Sequence, residues 1–182
     1  MSQAFEETKT LYLEDLHIGQ RFRSNSCRMD ESRIKAFAAE FDPQPFHLDD
    51  MASRGTVFRG LAASGWHTAA VAMRLLVDGG LPLANGIIGL GCELVWSKPT
   101  RPGDVIQVES EILEILPSRS RSTEGIVKVR CTTFNQNGDS VLLFTGKLLV
   151  SKREGRSISH EVQKGMVHNG EVACIANRAA AP

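Results

Sequence analysis

The densest group of polar side chains in an otherwise apolar stretch lies at residues 42–50, DPQPFHLDD. Asp42 is expected to end one helix and His47 to begin the next, with Pro43 and Pro45 in the connection. Because proline restricts the unfolded chain, this connection can hold the two side chains close together at little further entropic cost. A carboxylate and an imidazole that face one small volume can bind and activate a water molecule.

Other interpretations of this segment stay open. Asp42 could cap the following helix, and His47 could hydrogen-bond a backbone carbonyl in a loop. Asp42, His47, Asp49 and Asp50 could hold a metal, but no second histidine lies nearby at helical spacing, so no metal is expected. The flanking phenylalanines predict partial desolvation, which would move the pKa of Asp42 toward neutrality.

The elements around this segment have recognisable patterns. A helix over residues 30–41 is predicted, with Asp30 as N-cap and Pro43 ending it near Asp42. One apolar stripe marks its buried face: Ile34, Phe37, Ala38 and Phe41. A second helix is predicted to start near His47 or Leu48 and to run through Met51.

The most apolar helix is predicted over residues 64–77, with Ser64 as N-cap and the Gly79-Gly80 pair ending it. Apolar residues cover nearly its whole circumference, which is typical of a buried helix. Strand-like runs occupy residues 21–27, 86–96, 104–116, 123–135 and 141–151. A buried helix must be wrapped, and a curved antiparallel sheet can wrap it, so we predict an α+β fold of one sheet around one helix.

The chain has 182 residues and a mass of 19.9 kDa, which suits one domain. We predict a flexible N-terminus at 1–10, a single domain at 11–153, and a C-terminal tail or peripheral extension at 154–182. Charge is balanced, with 21 basic and 21 acidic residues, which argues against a nucleic-acid binder. No apolar run is long enough for a membrane helix, and the N-terminus lacks a signal sequence. Four scattered cysteines predict free thiols in the cytoplasm.

Residues 42–49, DPQPFHLD, resemble the D-x-N-P-x-H-x-D signature of MaoC-like dehydratases and (R)-specific enoyl-CoA hydratases. Residues 60–68, GLAASGWHT, resemble the start of that family's central helix. Residues 97–104, SKPTRPGD, resemble its F-x-x-P-V-x-x-G-D turn, and the likeness spans about 11–152. The resemblance implies the hotdog fold, in which an antiparallel sheet wraps a long central helix.

The resemblance also implies roles for individual residues. Asp42 and His47 match the catalytic pair that adds water across a 2-enoyl thioester. Gly65 matches the residue whose amide binds the thioester oxygen, a role that suits the free amides of a helix N-terminus. Gln44 replaces the family's asparagine and Ser64 replaces its histidine, and both are expected to contact substrate or to position its loop.

The implied activity is the reversible hydration of a 2-enoyl-CoA to a 3-hydroxyacyl-CoA, with the (R) product, in fatty acid metabolism. Coenzyme A is then part of the substrate, and no other cofactor is expected. The family implies a homodimer or a multiple of dimers, since an unpaired sheet edge is normally covered. The alternatives are a hotdog acyl-CoA thioesterase and a non-catalytic acyl-thioester-binding protein.

The remaining residues of interest are interpreted more simply. His67 is expected to be a satisfied core or interface histidine, and His17, His160 and His168 to lie on the surface. Trp96 and Met73 are expected in the core. A basic run is interpreted as a solvated strand face, with contact to the coenzyme A phosphates as the alternative; it comprises Arg119, Arg121, Lys128 and Arg130.

Overall fold

The computed structural model describes residues 10–117 and 123–153. The helices are α1 (Glu31–Phe41), α2 (Pro45–Leu48), α3 (Asp50–Arg54) and α4 (Gly65–Leu75). The strands are β1 (Arg21–Arg28), β2 (Ile88–Val95), β3 (Val105–Pro117), β4 (Glu124–Phe134) and β5 (Ser140–Ser151). The predicted N-terminus, except for its last residue, and the predicted C-terminal tail lie outside the described residues.

All five strands form one antiparallel sheet in the order β1-β3-β4-β5-β2. Its inward face follows from the period of two in the sequence: β4 buries Val127, Val129, Cys131 and Thr133 and turns the residues between them toward solvent. The β4–β5 hairpin closes over residues 135–139, where the Asn135 amide bonds the Asp139 carbonyl at 2.9 Å. The predicted strands and hairpin are confirmed.

Helix α4 lies across the inward face of this sheet. Its buried residues are His67, Thr68, Ala72 and Leu75, and two of them, Ala72 and Leu75, join an apolar core that includes residues of β3, β4 and β5. A π-helical turn, Leu76–Gly80, ends the helix at the expected glycine pair. The sheet curving around this helix is the expected α+β hotdog fold.

The prediction that α4 is buried on all sides is wrong for the single chain. Trp66 and Val77 are each 60% exposed, and Met73, expected in the core, is 39% exposed. The sheet covers one side of a helix, so an apolar opposite side needs a second covering surface.

The segment after α1 also differs from its prediction. One helix was expected from His47 through Met51, but the chain forms two short helices separated at Asp49, whose backbone is extended. The Asp49 carboxylate accepts a hydrogen bond from the Ala52 amide at 2.8 Å and thereby starts α3 anew. The Asp30 cap of α1 is confirmed by its bonds from the Ser32 and Arg33 amides. No helix in the described ranges is long and apolar enough to cross a membrane.

Candidate active site

Asp42 lies at the C-terminal end of α1, where its carboxylate has three polar neighbours. The Ser64 hydroxyl donates to Oδ2 at 2.6 Å, and the Gln44 side-chain amide donates to Oδ1 at 2.7 Å. His47 Nε2 lies 3.4 Å from the same Oδ2. The structure therefore brings together three of the residues singled out in the sequence around one carboxylate.

These neighbours decide the ionisation of Asp42. Burial disfavours the carboxylate, but the hydrogen bonds from Ser64 and Gln44, together with attraction to His47, outweigh it and hold the pKa of Asp42 below its ordinary value. The expectation of a shift toward neutrality is therefore wrong in direction. The flanking Phe41 is 64% exposed and provides little of the desolvation that the expectation required.

His47 lies in α2 and is only 4% exposed. Its Nδ1 is 2.8 Å from the Ala62 carbonyl oxygen. A carbonyl can only accept, so Nδ1 carries the proton. In the neutral ring Nε2 then presents a lone pair toward the Asp42 carboxylate. The hydrogen bond to a backbone carbonyl, considered as an alternative to a chemical role, instead fixes the tautomer that such a role needs.

Ser64 caps α4, as the sequence predicts, with its hydroxyl oxygen 3.2 Å from the Trp66 amide. The same hydroxyl donates to Asp42, so one side chain joins the start of α4 to the end of α1. Ser64 is fully buried and is not among the residues that line the adjoining cavity. Its contacts are those of a residue that positions Asp42.

Gly65 is the first residue of α4. Within the described parts of the chain, no group accepts a hydrogen bond from its amide. Its carbonyl accepts one from the Trp96 indole nitrogen at 2.9 Å. A Cβ atom at this position would lie 2.7 Å from that nitrogen, so only glycine fits beneath the indole.

Asp42, Gln44, His47 and Gly65 all line one cavity of about 420 Å³. Aromatic side chains form much of its wall, namely Phe46, Phe58, Trp66 and Trp96, with Lys98 among the polar residues. Trp96 was expected in the core, but it is 44% exposed at the cavity, directly after β2. Its position next to the SKPTRPGD segment was an available signal, whereas Phe58 lies in a loop whose sequence carries none.

The other candidate residues lie elsewhere. His67 is 6% exposed and stacks on Phe37 with ring centroids 4.8 Å apart. Its Nδ1 has no hydrogen-bond partner in the described structure, so it is buried but not satisfied as expected. Burial, followed by the nearby Arg33 charge, lowers the pKa of His67. His17 is exposed as predicted, and His160 and His168 lie outside the described residues.

The four residues of the metal alternative do not converge. Asp49 caps α3, and Asp50 accepts from Arg54 and from the Leu61 amide. Among the residues described, no three His, Cys, Asp or Glu side chains are grouped as metal ligands would be. Of the basic run, Arg130 pairs with Glu111 at 2.5 Å on the outer sheet face, while Arg119 and Arg121 are outside the described ranges.

Comparisons with known proteins agree with this fold. A MaoC-like dehydratase structure from Rhodospirillum rubrum is 57% identical, with a TM-score of 0.77 over 79% of this chain and 98% of that one. Protein YdeM of Bacillus subtilis is 35% identical over 76% of this chain and 96% of its own length. A 3-hydroxybutyryl-CoA dehydratase of Methylorubrum extorquens is 30% identical over 79% of this chain and 85% of its own length.

A family model described as the MaoC-like domain matches residues 15–134, about two thirds of the chain. The matched segment includes α1 to α4, Asp42, His47 and the residues that line the cavity, and the relatives above match over most of their own lengths. The chain therefore belongs to the MaoC-like domain family.

Proposed function

We propose that this protein adds water reversibly to a 2-enoyl thioester of coenzyme A and forms the 3-hydroxyacyl thioester. One observation carries the proposal: the Asp42–His47 pair lines the same cavity as Gly65, whose amide has no acceptor among the described residues. The named activity of the Methylorubrum relative, a 3-hydroxybutyryl-CoA dehydratase, supports the same reaction class. Hydration needs an acid–base pair at the β-carbon and an anion-stabilising donor at the carbonyl, and these residues supply both.

In the first step His47 acts as a base through Nε2, because the proton of its neutral ring is on Nδ1. Its Nε2 lone pair and the Asp42 carboxylate oxygen both accept hydrogen bonds and lie 3.4 Å apart at the cavity wall. A water bound on the cavity side of both atoms donates one O–H to each and turns its oxygen lone pairs toward the substrate. As that oxygen bonds to the β-carbon, Nε2 takes the proton, and the neighbouring carboxylate stabilises the imidazolium that forms.

The second half of the reaction involves Gly65. Addition at the β-carbon moves an electron pair onto the thioester oxygen, and the Gly65 amide donates a hydrogen bond to the resulting enolate. The N-terminal end of α4 favours negative charge at this point. The α-carbon then takes the proton from His47 Nε2, which returns both residues to their starting state, and one water has been added.

We also propose that the protein acts as a homodimer joined along β2. This edge strand is exposed along its length and carries apolar side chains, with Leu90 at 53% and Ile88 at 45% exposure. The opposite edge, β1, carries Arg21 and Arg23, and charged side chains of this kind discourage edge pairing. A second copy along β2 would cover the exposed apolar side of α4 as well.

The free thiols of Cys27, Cys92 and Cys131 are consistent with a protein of the reducing cytoplasm, which is the proposed location.

The proposed activity is tested with crotonyl-CoA and with longer 2-enoyl-CoA substrates. Loss of the enoyl absorbance without release of free thiol is expected, and this loss is expected to be absent in an Asp42→Asn variant. Release of free thiol would instead identify a thioesterase. No change with any chain length, although the thioester binds, would identify a non-catalytic acyl-thioester-binding protein and would refute the proposed reaction.

A further inference from the structure

His47 keeps its tautomer only while the Ala62 carbonyl stays where it is. That carbonyl lies near the end of the loop, residues 55–64, that connects α3 to α4. The loop includes two residues with positive φ, Arg59 at 52° and Gly60 at 144°. Arg59 is a non-glycine residue in this region, so the loop conformation is held by contacts from outside the segment.

Three of the hydrogen bonds that reach this loop from outside come from one side chain, that of Arg101. Its Nη1 donates to the carbonyl oxygens of Gly60 at 2.6 Å and Leu61 at 3.0 Å, and its Nη2 donates to the Phe58 carbonyl. A guanidinium can bind three carbonyls at once because its donors form a rigid planar fork. Phe58 lines the cavity, and the residue after Leu61 is Ala62 itself.

Arg101 is itself fixed on the opposite side. The Asp104 carboxylate accepts from the Arg101 amide at 2.7 Å and from the Gln136 side chain at 3.0 Å. The Asp104 carbonyl accepts from the Met29 amide at 2.7 Å, which connects the turn to the residue preceding the α1 cap. Hydrogen bonds therefore hold the turn at residues 101–104 against both the β4–β5 hairpin and the segment just before α1.

We propose that Arg101 is a positioning residue that fixes the tautomer and orientation of His47 by holding the backbone of residues 58–62. This role explains why the SKPTRPGD segment accompanies the acid–base loop, although Arg101 is not among the residues that line the cavity. The adjacent backbone provides a second connection, since the Thr100 carbonyl accepts from the Ala63 amide at 2.9 Å. The kinetic part of this proposal rests on the proposed hydratase function, whereas the tautomer of His47 is measurable without any substrate.

The test compares Arg101→Met, Arg101→Lys and Arg59→Met in the full chain. Arg101→Met removes all donors and keeps the bulk of the side chain, while Arg101→Lys keeps the charge without the planar fork. Arg59→Met removes an equal charge from the same loop, and the described structure gives the Arg59 side chain no hydrogen bond, so it is the matched control. Histidine-selective ¹⁵N NMR, assigned with His47→Ala, reports which ring nitrogen carries the proton.

In the wild type and in Arg59→Met, the His47 proton is expected on Nδ1. In Arg101→Met, a mixture of tautomers or an exchange-broadened signal is expected, with an intermediate result for Arg101→Lys. The kcat should fall roughly tenfold to a hundredfold in Arg101→Met with a smaller change in KM, as is usual for a displaced catalytic group. The pH profile of kcat should change with it.

An Arg101→Met variant with the wild-type tautomer of His47 and kcat within twofold overturns the proposal. Failure of both Arg101 variants to fold also overturns it, because Arg101 would then act on the whole domain. A wild-type protein with no hydratase activity overturns the proposed function alone, since the NMR comparison still decides the role of Arg101.

Discussion

At the scale of single residues, the acid–base pair is set by its hydrogen-bond partners. Asp42 accepts from Ser64 and Gln44, which favours its carboxylate form, and His47 donates to the Ala62 carbonyl from Nδ1. His47 lies in α2, as the sequence predicts, and is almost fully buried. The substitutions below therefore distinguish effects on turnover from effects on the free energy of unfolding.

Asp42→Asn and His47→Ala are each expected to lower kcat at least about a hundredfold, the scale of general acid–base help. His47→Ala should also lower the free energy of unfolding by about 1–3 kcal/mol, because it leaves the buried Ala62 carbonyl unpaired. Steady-state kinetics and chemical denaturation measure the two effects. His17→Ala, at an exposed histidine, is the control, and near-wild-type turnover in either site variant would contradict the mechanism.

Ser64→Ala removes a donor that lowers the pKa of Asp42, so that pKa should rise. Activity needs the carboxylate, so the acidic limb of kcat/KM should move to higher pH, and ¹³C NMR of the Asp42 carboxyl should show the same shift. Ser53→Ala removes another buried hydroxyl, one that donates to the Asp50 carbonyl, and should leave the limb unchanged. An unaltered Asp42 titration in Ser64→Ala would refute this coupling.

Ser64→Ala is also expected to lower the free energy of unfolding by an amount that depends on pH. The pKa of Asp42 is depressed in the folded chain, so its contribution is present above the unfolded-state pKa and is lost as pH falls through the folded-state value. Ser64→Ala should therefore cost more near neutral pH than at strongly acidic pH, where Asp42 is protonated. Loss of the helix cap adds about 1 kcal/mol at every pH.

At the scale of elements, the start of α4 and the end of β2 form one unit. The Trp96 indole lies over Gly65 and donates to its carbonyl, and its ring packs edge-on against Trp66 at 5.5 Å between centroids. Helix and strand thus enclose the amide that is proposed to bind the thioester oxygen. The Trp96 indole can lie this close to the helix because residue 65 has no side chain.

Gly65→Ala and Gly65→Val should move the Trp96 indole, because a Cβ would lie 2.7 Å from its nitrogen. We expect a steep loss of kcat/KM, greater for valine, with a modest loss of stability and a changed tryptophan fluorescence spectrum. Gly55→Ala is the control, since a Cβ there has no atom within 4 Å. If Gly65→Val retained full activity, its amide could not be the thioester donor.

At the scale of the whole molecule, the described part of the chain leaves one side of α4 uncovered. Among the described strands β2 has no neighbour on its outer edge, and Trp66 of α4 and Val77 of the turn that follows it are exposed. Since Trp96 directly follows β2 and lines the cavity, pairing along this edge would bring the second copy close to the site. Assembly and catalysis are therefore expected to depend on one another.

Light scattering at micromolar concentration should give about 40 kDa or a multiple of it, twice the 19.9 kDa chain mass. Leu90→Lys introduces a charge on the exposed edge and should shift the protein toward the monomer, with reduced activity. Ile18→Lys, at a residue that is 65% exposed before β1, should do neither. A wild-type mass of one chain would count directly against the dimer.

The sequence determined the features that depend on neighbours along the chain. The period of two predicted the strands, Asp30 and Ser64 predicted the helix caps, and the proline-containing connection predicted that Asp42 and His47 lie close together. These features were predictable because caps and alternation act over a few residues.

Only the tertiary structure decided the contacts between distant segments. Ser64 reaches Asp42 across 22 positions, and Arg101 reaches the loop at residues 58–61 across 40 or more. The Ser64 contact helps to lower the pKa of Asp42, where local apolar neighbours suggested the opposite, and the Ala62 carbonyl, 15 positions from His47, fixes which nitrogen of the neutral ring carries the proton. The exposed side of α4 was equally undecided by the sequence, because an apolar helix face does not specify whether its own sheet or a second chain covers it.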